Sequence, residues 1–539
     1  MRTLVVIPAR GGSKGIPRKN VRFMSGKPLI AYAITCAKKC KYNFDVVVTS
    51  DDEEIKYVAR NYGAEIIDRP LELAGDNVTL DPVVFHAVKT MEKMRNCEYD
   101  CVITMQPTSP LLSVNTLEKA FQYFVKKSFD TVISGVNDPR LSWHIDGETY
   151  VPNYKERLNR QYMPKDLKET GAFVITKRRF VRETGRFGDK ISIFEMPERE
   201  AGDIDTPQDW WIAETELNKK NILIRLDGYT KIGMGHIYRG LQLASGFIEH
   251  NIRFVISDKS DSGIKKIKES HYPYTVIHEN DDIFRLIEEY DADIVINDIL
   301  NTDENYIQKI RQMGVRVVNF EDEGPGADFA DAVVNALYEK ENNDSKKYYG
   351  SDYYLIRDEF VIQSVQEFNE EVKEILILFG GTDPCNLTKK TVRALRNIVG
   401  IHVTVILGLG FEHQDEIRRL VEDRDNIDVL QNIKMMSEYM SKADIAISSQ
   451  GRTMLELAAM GVPTIIMSEN EREATHEFGS IKNGYLNLGS GALVTEKTIY
   501  ETVNWLIQCP QIRKNMRSQM LEKDLMHGFK RVKEIILGE

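Results

Sequence analysis

The sequence predicts an α/β protein of parallel, doubly wound sheets in more than one domain. Three observations predict it. Short β-branched apolar runs alternate with amphipathic stretches along the whole chain, the pattern of strands joined by helices. At 539 residues the chain is too long for one core, and length alone points to about two to four domains. The pattern also restarts at Asn221, where a second apolar strand leads into a Gly-rich turn and an apparent helix.

In the first part the strand-like runs are Leu4–Ile7, Val46–Thr49, Cys101–Met105, Thr131–Ser134 and Phe173–Ile175. Helical patterns such as Leu29–Lys39 and Glu53–Asn61 lie between them. The charged segment Glu214–Lys220 precedes the restart at Asn221–Leu226 and divides residues 1–219 from 220–539. Beyond it come Arg253–Ile256, Ile294–Ile296, Val315–Phe320 and Ala332–Val334. A second series follows at Ile375–Phe379, Val403–Leu407, Ile445–Ser448 and Pro463–Met467. Asp358–Asn369 between the series reads as a linker. The second part is therefore expected to form two α/β subdomains, about 220–358 and 359–539, facing a cleft.

The composition is that of an ordinary globular protein, and the net charge of −11 argues against a basic nucleic-acid face. Anionic nucleotides must then be met by local cation clusters. No stretch approaches the ~18 apolar residues of a membrane span. The opening MRTLVVIPARGG carries too short an apolar run for a signal peptide, so a cytoplasmic protein is expected. The six cysteines include the CxxxC pairs Cys36/Cys40 and Cys97/Cys101, with no His cluster beside them. They read as reduced thiols rather than metal ligands.

The first candidate site is the segment PARGGSKGIPRKN at Pro8–Asn20, directly after the first strand. Glycines let backbone N–H groups approach phosphate oxygens, and Arg10, Lys14, Arg18 and Lys19 supply positive charge. Neither the GxxxxGK[ST] nor the GxGxxG order is present. Four cations and three glycines at a strand exit favour a polyphosphate ligand over a solvated basic loop.

IPARGGSKGIPRKN, GKPLIAYAI, SDDEEI, RPLELAGD, QPTSPL and DIDTPQDW, in this order over residues 1 to about 215, resemble the acylneuraminate cytidylyltransferases, the CMP-sialic acid synthetases. The resemblance implies a doubly wound nucleotidyltransferase sheet. It also implies a reaction in which a sugar hydroxyl attacks the α-phosphate of CTP and pyrophosphate leaves. Catalysis is then largely positioning and electrostatic stabilisation. By resemblance Arg10, Gly11, Gly12, Ser13, Lys14 and Lys19 hold the triphosphate, with Arg10 and Lys19 bearing on catalysis. Asn20 and Arg69 would place the cytidine, and Gln106, Arg160 and Gln161 the sugar.

Asp203 and Asp205 stand at i, i+2 and on a strand would project to one face. Paired hard oxygens beside a triphosphate suit Mg²⁺, while Asp205-Thr206-Pro207 also reads as a helix cap. Leu112 stands where the family often has Arg, Thr170 where many members have Asn, and Gly15 where the pseudaminic type commonly has Arg. The segment from about Thr131 to Lys168, with Trp143, Tyr150, Tyr154 and Tyr162, is long and aromatic. In related synthetases such an arm crosses to a partner subunit, so a homodimer is expected.

The second candidate site is DGYTKIGMGHIYR at Asp227–Arg239. Its turn places Gly235 and His236 near a helix N-terminus, which favours a neutral imidazole able to accept a proton. The alternative is a capping or partly buried histidine. Phe379–Pro384, FGGTDP, with Gly380, Gly381, Thr382 and Asn386 beyond, is a second Gly-rich strand exit suited to a diphosphate. Ser448–Glu456, SSQGRTMLE, is a third, with Gly451 and Thr453 toward the same phosphates and Glu456 one turn into a helix.

GMGHIYR, NFEDEG, FGGTDP and the Glu456 segment, over about 221 to 490, resemble the UDP-sugar hydrolase of pseudaminic acid biosynthesis. That enzyme is a relative of the GT-B glycosyltransferases, so the resemblance implies a GT-B-like pair of Rossmann-type subdomains. It also implies that His236 activates water to release UDP from a 2,4-diacetamido-trideoxyhexose, with Asn386, Glu456 and Asn470 touching the ligand. Gln450 stands where relatives more often have a small residue, and Glu321-Asp322-Glu323 lines the cleft or forms a solvated turn. The expected whole is a bifunctional enzyme of nonulosonic-acid activation. Its alternatives for the second half are a UDP-sugar glycosyltransferase and a non-catalytic nucleotide-binding module.

Overall fold

The computed structural model describes residues 1–12, 15–229, 234–340, 344–408, 410–431 and 433–539. The chain folds as two compact units, Met1–Lys219 and Lys220–Glu539.

The first unit is a seven-stranded sheet whose order is Ile191–Glu195, Thr131–Asn137, Leu167–Lys177, Cys101–Met105, Thr3–Pro8, Asp45–Ser50, Glu65–Asp68. Its central runs are apolar nearly throughout because both faces are covered: Val5 and Ile7 pack with the helix Leu29–Lys39, Leu4 and Val6 with Leu80–Arg95. The sheet is not wholly parallel. Leu167–Lys177 runs antiparallel to both neighbours, because the chain returns to it from Thr131–Asn137 through an extended arm and not through a crossover helix. That strand carries a register shift between Glu169 and Val174, where Gly171 adopts φ +73°. A bulge of this kind re-aims side chains, here beside the strand exits.

The second unit holds two wholly parallel sheets. One runs Tyr274–Ile277, Asn251–Ser257, Asn221–Leu226, Ile294–Asp298, Arg316–Phe320, Ala332–Asn335, Lys347–Tyr349. The other runs Ile427–Gln431, His402–Leu407, Glu374–Leu378, Ile445–Ser449, Thr464–Ser468, Tyr485–Ser490. In each the chain winds one way from its first strand and then the other, leaving a switch point between Asn221–Leu226 and Ile294–Asp298, and between Glu374–Leu378 and Ile445–Ser449. Ligands of open α/β sheets bind outside the carboxyl ends of such strands. This is a pair of Rossmann-type subdomains, the GT-B arrangement.

Two expectations need amending. The subdomain limits are not 220–358 and 359–539, because the C-terminal helix Gly528–Leu537 returns to the first sheet. Val532 and Ile536 join Ile222, Ile224 and Phe254 in one core, and Arg316 donates to the carbonyls of Ile535 and Ile536 at 2.8 and 3.0 Å. Asp358–Asn369 is not purely a linker either. It begins as the helix Asp358–Ile362, with Phe360 fully buried, and the buried Arg513 pins its end through the Asn369 carbonyl at 2.9 Å.

Candidate functional site

In the first unit the loop after Thr3–Pro8 closes on the late segment around Asp203. Lys19 Nζ donates to the Ile204 carbonyl at 2.5 Å and lies 3.3 Å from Asp205 Oδ1. Asn20 is buried and its amide donates to the Arg10 carbonyl at 3.0 Å, so it braces the loop itself. Arg10 pairs with Asp76 at 2.8 Å. Gly11 turns its N–H onto Asp51 Oδ1 at 3.2 Å, and a Cβ there would strike Asp52. That N–H is therefore used within the protein, whereas Gly12 faces open space. Ser13 and Lys14 lie outside the described residues. Arg69 is buried, donates to the Thr49 carbonyl at 2.7 Å and leaves its Nε without a partner. Burial lowers its guanidinium from the ordinary value.

Gln106 exits the neighbouring strand. A Cβ built on Gly171 would stand 3.0 Å from Gln106 Nε2 and 3.6 Å from Asp203 Oδ2, so both side chains border the bulge. Burial raises the Asp203 carboxyl and the nearby Asp205 adds to it, with the Thr108 hydroxyl opposing. Asp203 and Asp205 are not on a strand; they flank the buried Ile204, whose N–H donates to the Thr108 carbonyl at 2.9 Å. The helix cap belongs to Thr206, which forms a capping box with Asp209, so Asp205 is not the cap. Arg160 and Gln161 are exposed in a short turn where Arg160 pairs with Glu198 at 3.1 Å.

In the second unit His236 opens the helix Gly235–Ser245 and is 4% exposed. Its Nδ1 lies 2.5 Å from Oδ1 of Asp298, the last residue of the adjoining strand across the switch point. Arg239, one turn on, grips the same carboxylate with Nε at 2.6 Å from Oδ2, and Nη1 reaches Glu321 at 2.5 Å. Burial would raise the Asp298 carboxyl, but Arg239 and His236 outweigh it and hold it well below the usual range. Glu321 and Asp322 are 7% and 1% exposed, so NFEDEG is not a solvated turn. Gly233, part of the expected turn, lies outside the described residues.

The other two glycine turns leave the switch point of the second sheet. Gly380 has φ +63° and Gly381 faces open space, followed by Thr382. Asn386 has φ 50° and its buried Oδ1 has no partner. Gly451 and Thr453 follow Ile445–Ser449, where a Cβ on Gly451 would meet Glu473 at 3.2 Å. Glu456 is buried and held by Arg357 Nε at 2.8 Å; burial raises it and Arg357 opposes. Asn470 is exposed and accepts from the Glu473 N–H at 2.9 Å. Gln450 serves the fold, donating to the His476 carbonyl at 2.8 Å.

Comparison with known proteins bears on both units. Residues 4–200 match the family described as Cytidylyltransferase, and residues 375–477 the Glycosyltransferase family 28 C-terminal domain. The pseudaminic acid cytidylyltransferase of Campylobacter jejuni (serotype O:23/36, strain 81-176) is 34% identical over 224 residues, which are 40% of this chain and 95% of that one. The chain belongs to the cytidylyltransferase family. An uncharacterized protein of Methanocaldococcus jannaschii is 31% identical over 346 residues, 56% of this chain and 71% of that one. The MurG structure of Acinetobacter baumannii covers 59% of this chain and all of its own at 14% identity, with a TM-score of 0.46.

In the cytidylyltransferase unit the residues fit a divalent cation. Asp203 Oδ1 is buried with no donor on it, and Asp205 stands beside the loop lysine. Among the described residues no third protein ligand joins them, so phosphate oxygens and water would complete a shell of the kind Mg²⁺ prefers. Sequence reasoning missed Asp298 and Arg239 in the second unit. The signal was slight: an acid closing the apolar run Ile294–Ile296, and an arginine one turn past His236.

Proposed function

We propose that the cytidylyltransferase unit transfers CMP from CTP to an acidic nine-carbon sugar of the sialic, legionaminic or pseudaminic type, releasing pyrophosphate. The second unit, in the same proposal, releases UDP from a UDP-2,4-diacetamido-trideoxyhexose with His236 as base. For the first activity the supporting observation is the convergence of the Arg10–Lys19 loop with Gln106 and the Asp203–Asp205 segment. Arg10 and Lys19 would stabilise charge growing on the phosphates as the sugar hydroxyl attacks, and Gln106 would hold the sugar. Asp203 and Asp205 would hold Mg²⁺, which when bound neutralises phosphate charge and polarises the α-phosphate.

For the second activity the carrying observation is the buried His236–Asp298 pair at the switch point. Asp298 accepts the Nδ1 proton, which leaves Nε2 as the basic nitrogen and orients the ring. Asp298 then stabilises the imidazolium formed when a water proton is taken. The glycine turns at Gly380 and Gly451 would receive the nucleotide phosphates, and the unpartnered Asn386 Oδ1 would accept from a ligand hydroxyl or N–H. The match to the glycosyltransferase 28 C-terminal domain favours a second reading, in which a carbohydrate hydroxyl replaces water.

The test supplies purified protein with CTP, Mg²⁺ and a panel of nonulosonic acids, with mass spectrometry of the CMP-sugars. Arg10→Ala and Asp205→Ala should each lower turnover at least about a hundredfold. Turnover surviving both changes refutes the site. UDP freed from the UDP-sugar in water alone, and lost in His236→Ala with UDP binding kept, selects hydrolysis; a requirement for an acceptor selects the transferase.

A further inference from the structure

Glu321 follows the strand Arg316–Phe320 and has φ 51°, a left-handed backbone unusual for a side chain of its size. Such a backbone persists where neighbours over-determine it, and it points to function. Three arginines from separate elements surround this residue. Arg239, on the His236 helix, donates Nη1 to Oε1 at 2.5 Å. Arg452, directly after Gly451, donates Nε to Oε1 at 3.2 Å and Nη2 to Oε2 at 3.0 Å. Arg472 donates to the Glu321 carbonyl at 2.6 Å.

The three side chains differ in exposure. Counting side-chain atoms alone, Glu321 is 9% exposed, Arg239 10% and Arg452 21%, so Arg452 is the one with most room for a ligand. Its guanidinium Nη1 lies 3.0 Å from the point where a Cβ would stand on Gly235. Arg452 therefore lies against the N-terminal end of the His236 helix, whose free N–H groups and dipole add to its pull on an anion. One carboxylate thus balances two guanidinium groups, one gripping Asp298 and the other reaching from the Gly451 turn to the Gly235 turn. A diphosphate between those turns competes with Glu321 for Arg452. Once Arg452 turns to the phosphates, Glu321 is left to Arg239 alone. A stronger Glu321–Arg239 pair leaves more of the Asp298 charge to His236.

We infer that Glu321 is a positioning residue that couples nucleotide occupancy to the His236–Asp298 pair by sharing Arg452 with the nucleotide's diphosphate. The inference rests on the reading of the second unit as a UDP-releasing enzyme. It makes the base fully effective only when a nucleotide is seated.

The experiment measures kcat and KM on the UDP-sugar and the Kd of UDP by calorimetry, using the full chain. Glu321→Gln keeps the shape and removes the charge. It should lower kcat at least about tenfold while UDP binds more tightly, because Arg452 is no longer shared. In an Arg452→Ala background the same change should no longer tighten UDP, the mark of a coupled pair. A purely structural role would lower kcat and UDP affinity together, and that result, or an unchanged kcat, overturns the inference. Glu321→Asp keeps the charge on a shorter arm and should hold UDP affinity at the wild-type level with kcat in between. It carries the test alone if the Gln variant does not fold, and loss of UDP affinity in it is equally fatal. Wild-type protein that binds UDP but releases none would instead refute the enzymatic reading, with the UDP titrations still deciding the sharing of Arg452. No UDP binding at all overturns both.

Discussion

The Glu469 carboxyl lies beside those of Glu473 and Asp383, and burial together with these like charges pushes it up to about 9. Its Oε1 is buried without a hydrogen-bond partner. A carboxyl that holds its proton more tightly in the folded than in the unfolded chain supports folding fully below its ordinary value, near 4. That support is lost as pH rises toward about 9. Glu469→Gln should therefore raise the melting temperature of the second unit at pH 8 and leave it nearly unchanged at pH 4. The gain at neutral pH is expected to be about 1–3 kcal/mol. Equal melting shifts at both pH values would show that charge is not the cause. Asp298 and Glu321 behave in the opposite sense. Burial would raise each, yet Arg239, with His236 beside the first and Arg452 beside the second, holds both ionised well below the usual range. Both should lose their support only in acid. The residue scale also shows where sequence reading stops. His236 stood out through its glycine turn, whereas Asp298 is 62 positions away and looks like any acid at a strand end.

At the scale of elements, the strand Leu167–Lys177 does more than fill the sheet. Its bulge at Gly171, in a backbone of φ +73°, is bordered by both Gln106 and Asp203. Gly171→Ala puts a methyl 3.0 Å from Gln106 Nε2 and strains the backbone. The expected result is a folded protein, destabilised by about 1–2 kcal/mol, with KM for the acidic sugar raised about tenfold or more. KM for CTP should move less than that, because the Arg10–Lys19 loop belongs to another strand exit and Asp203 lies farther from the added methyl than Gln106 does; steady-state kinetics with each substrate varied checks this. The strands were legible because a parallel strand covered on both faces reads as a near-continuous apolar run, as in Ile375–Leu378. The bulge was not legible, since Thr170-Gly171-Ala172 carries no mark of which residues it will face. Gly15 is a related case. A Cβ there would stand 2.3 Å from the Asp205 carbonyl oxygen, so the arginine of the pseudaminic type requires the Asp203–Asp205 segment to move.

At the scale of the whole molecule, the arm of the cytidylyltransferase unit is the feature its own fold leaves uncovered. The hairpin Trp143–Asp146 and Thr149–Pro152 exposes Trp143 at 52%, Ile145 at 71% and Tyr150 at 71%. We propose that a second copy of the chain covers it. Light scattering after size exclusion should give twice the chain mass, and Ile145→Asp combined with Tyr150→Asp should give one chain mass. A strict monomer in the unaltered protein removes the proposal. Among the described residues no helix is long and apolar enough to cross a membrane.

Local pattern by itself determined the central strands and several helices, the glycine turns at their ends and the likeness of the first unit to the cytidylyltransferases. Each of these is written in contiguous residues: apolar runs, a basic glycine loop, short motifs in order. Edge strands such as Glu65–Asp68, Tyr274–Ile277 and Tyr485–Ser490 were not legible in that pattern. Only the tertiary structure decided which charges meet. The pairing of His236 with Asp298, the sharing of Glu321 among arginines and the approach of Gln106 and Asp203 to the Gly171 bulge join residues far apart in the chain. Sheet order brings them together, and no local propensity encodes it.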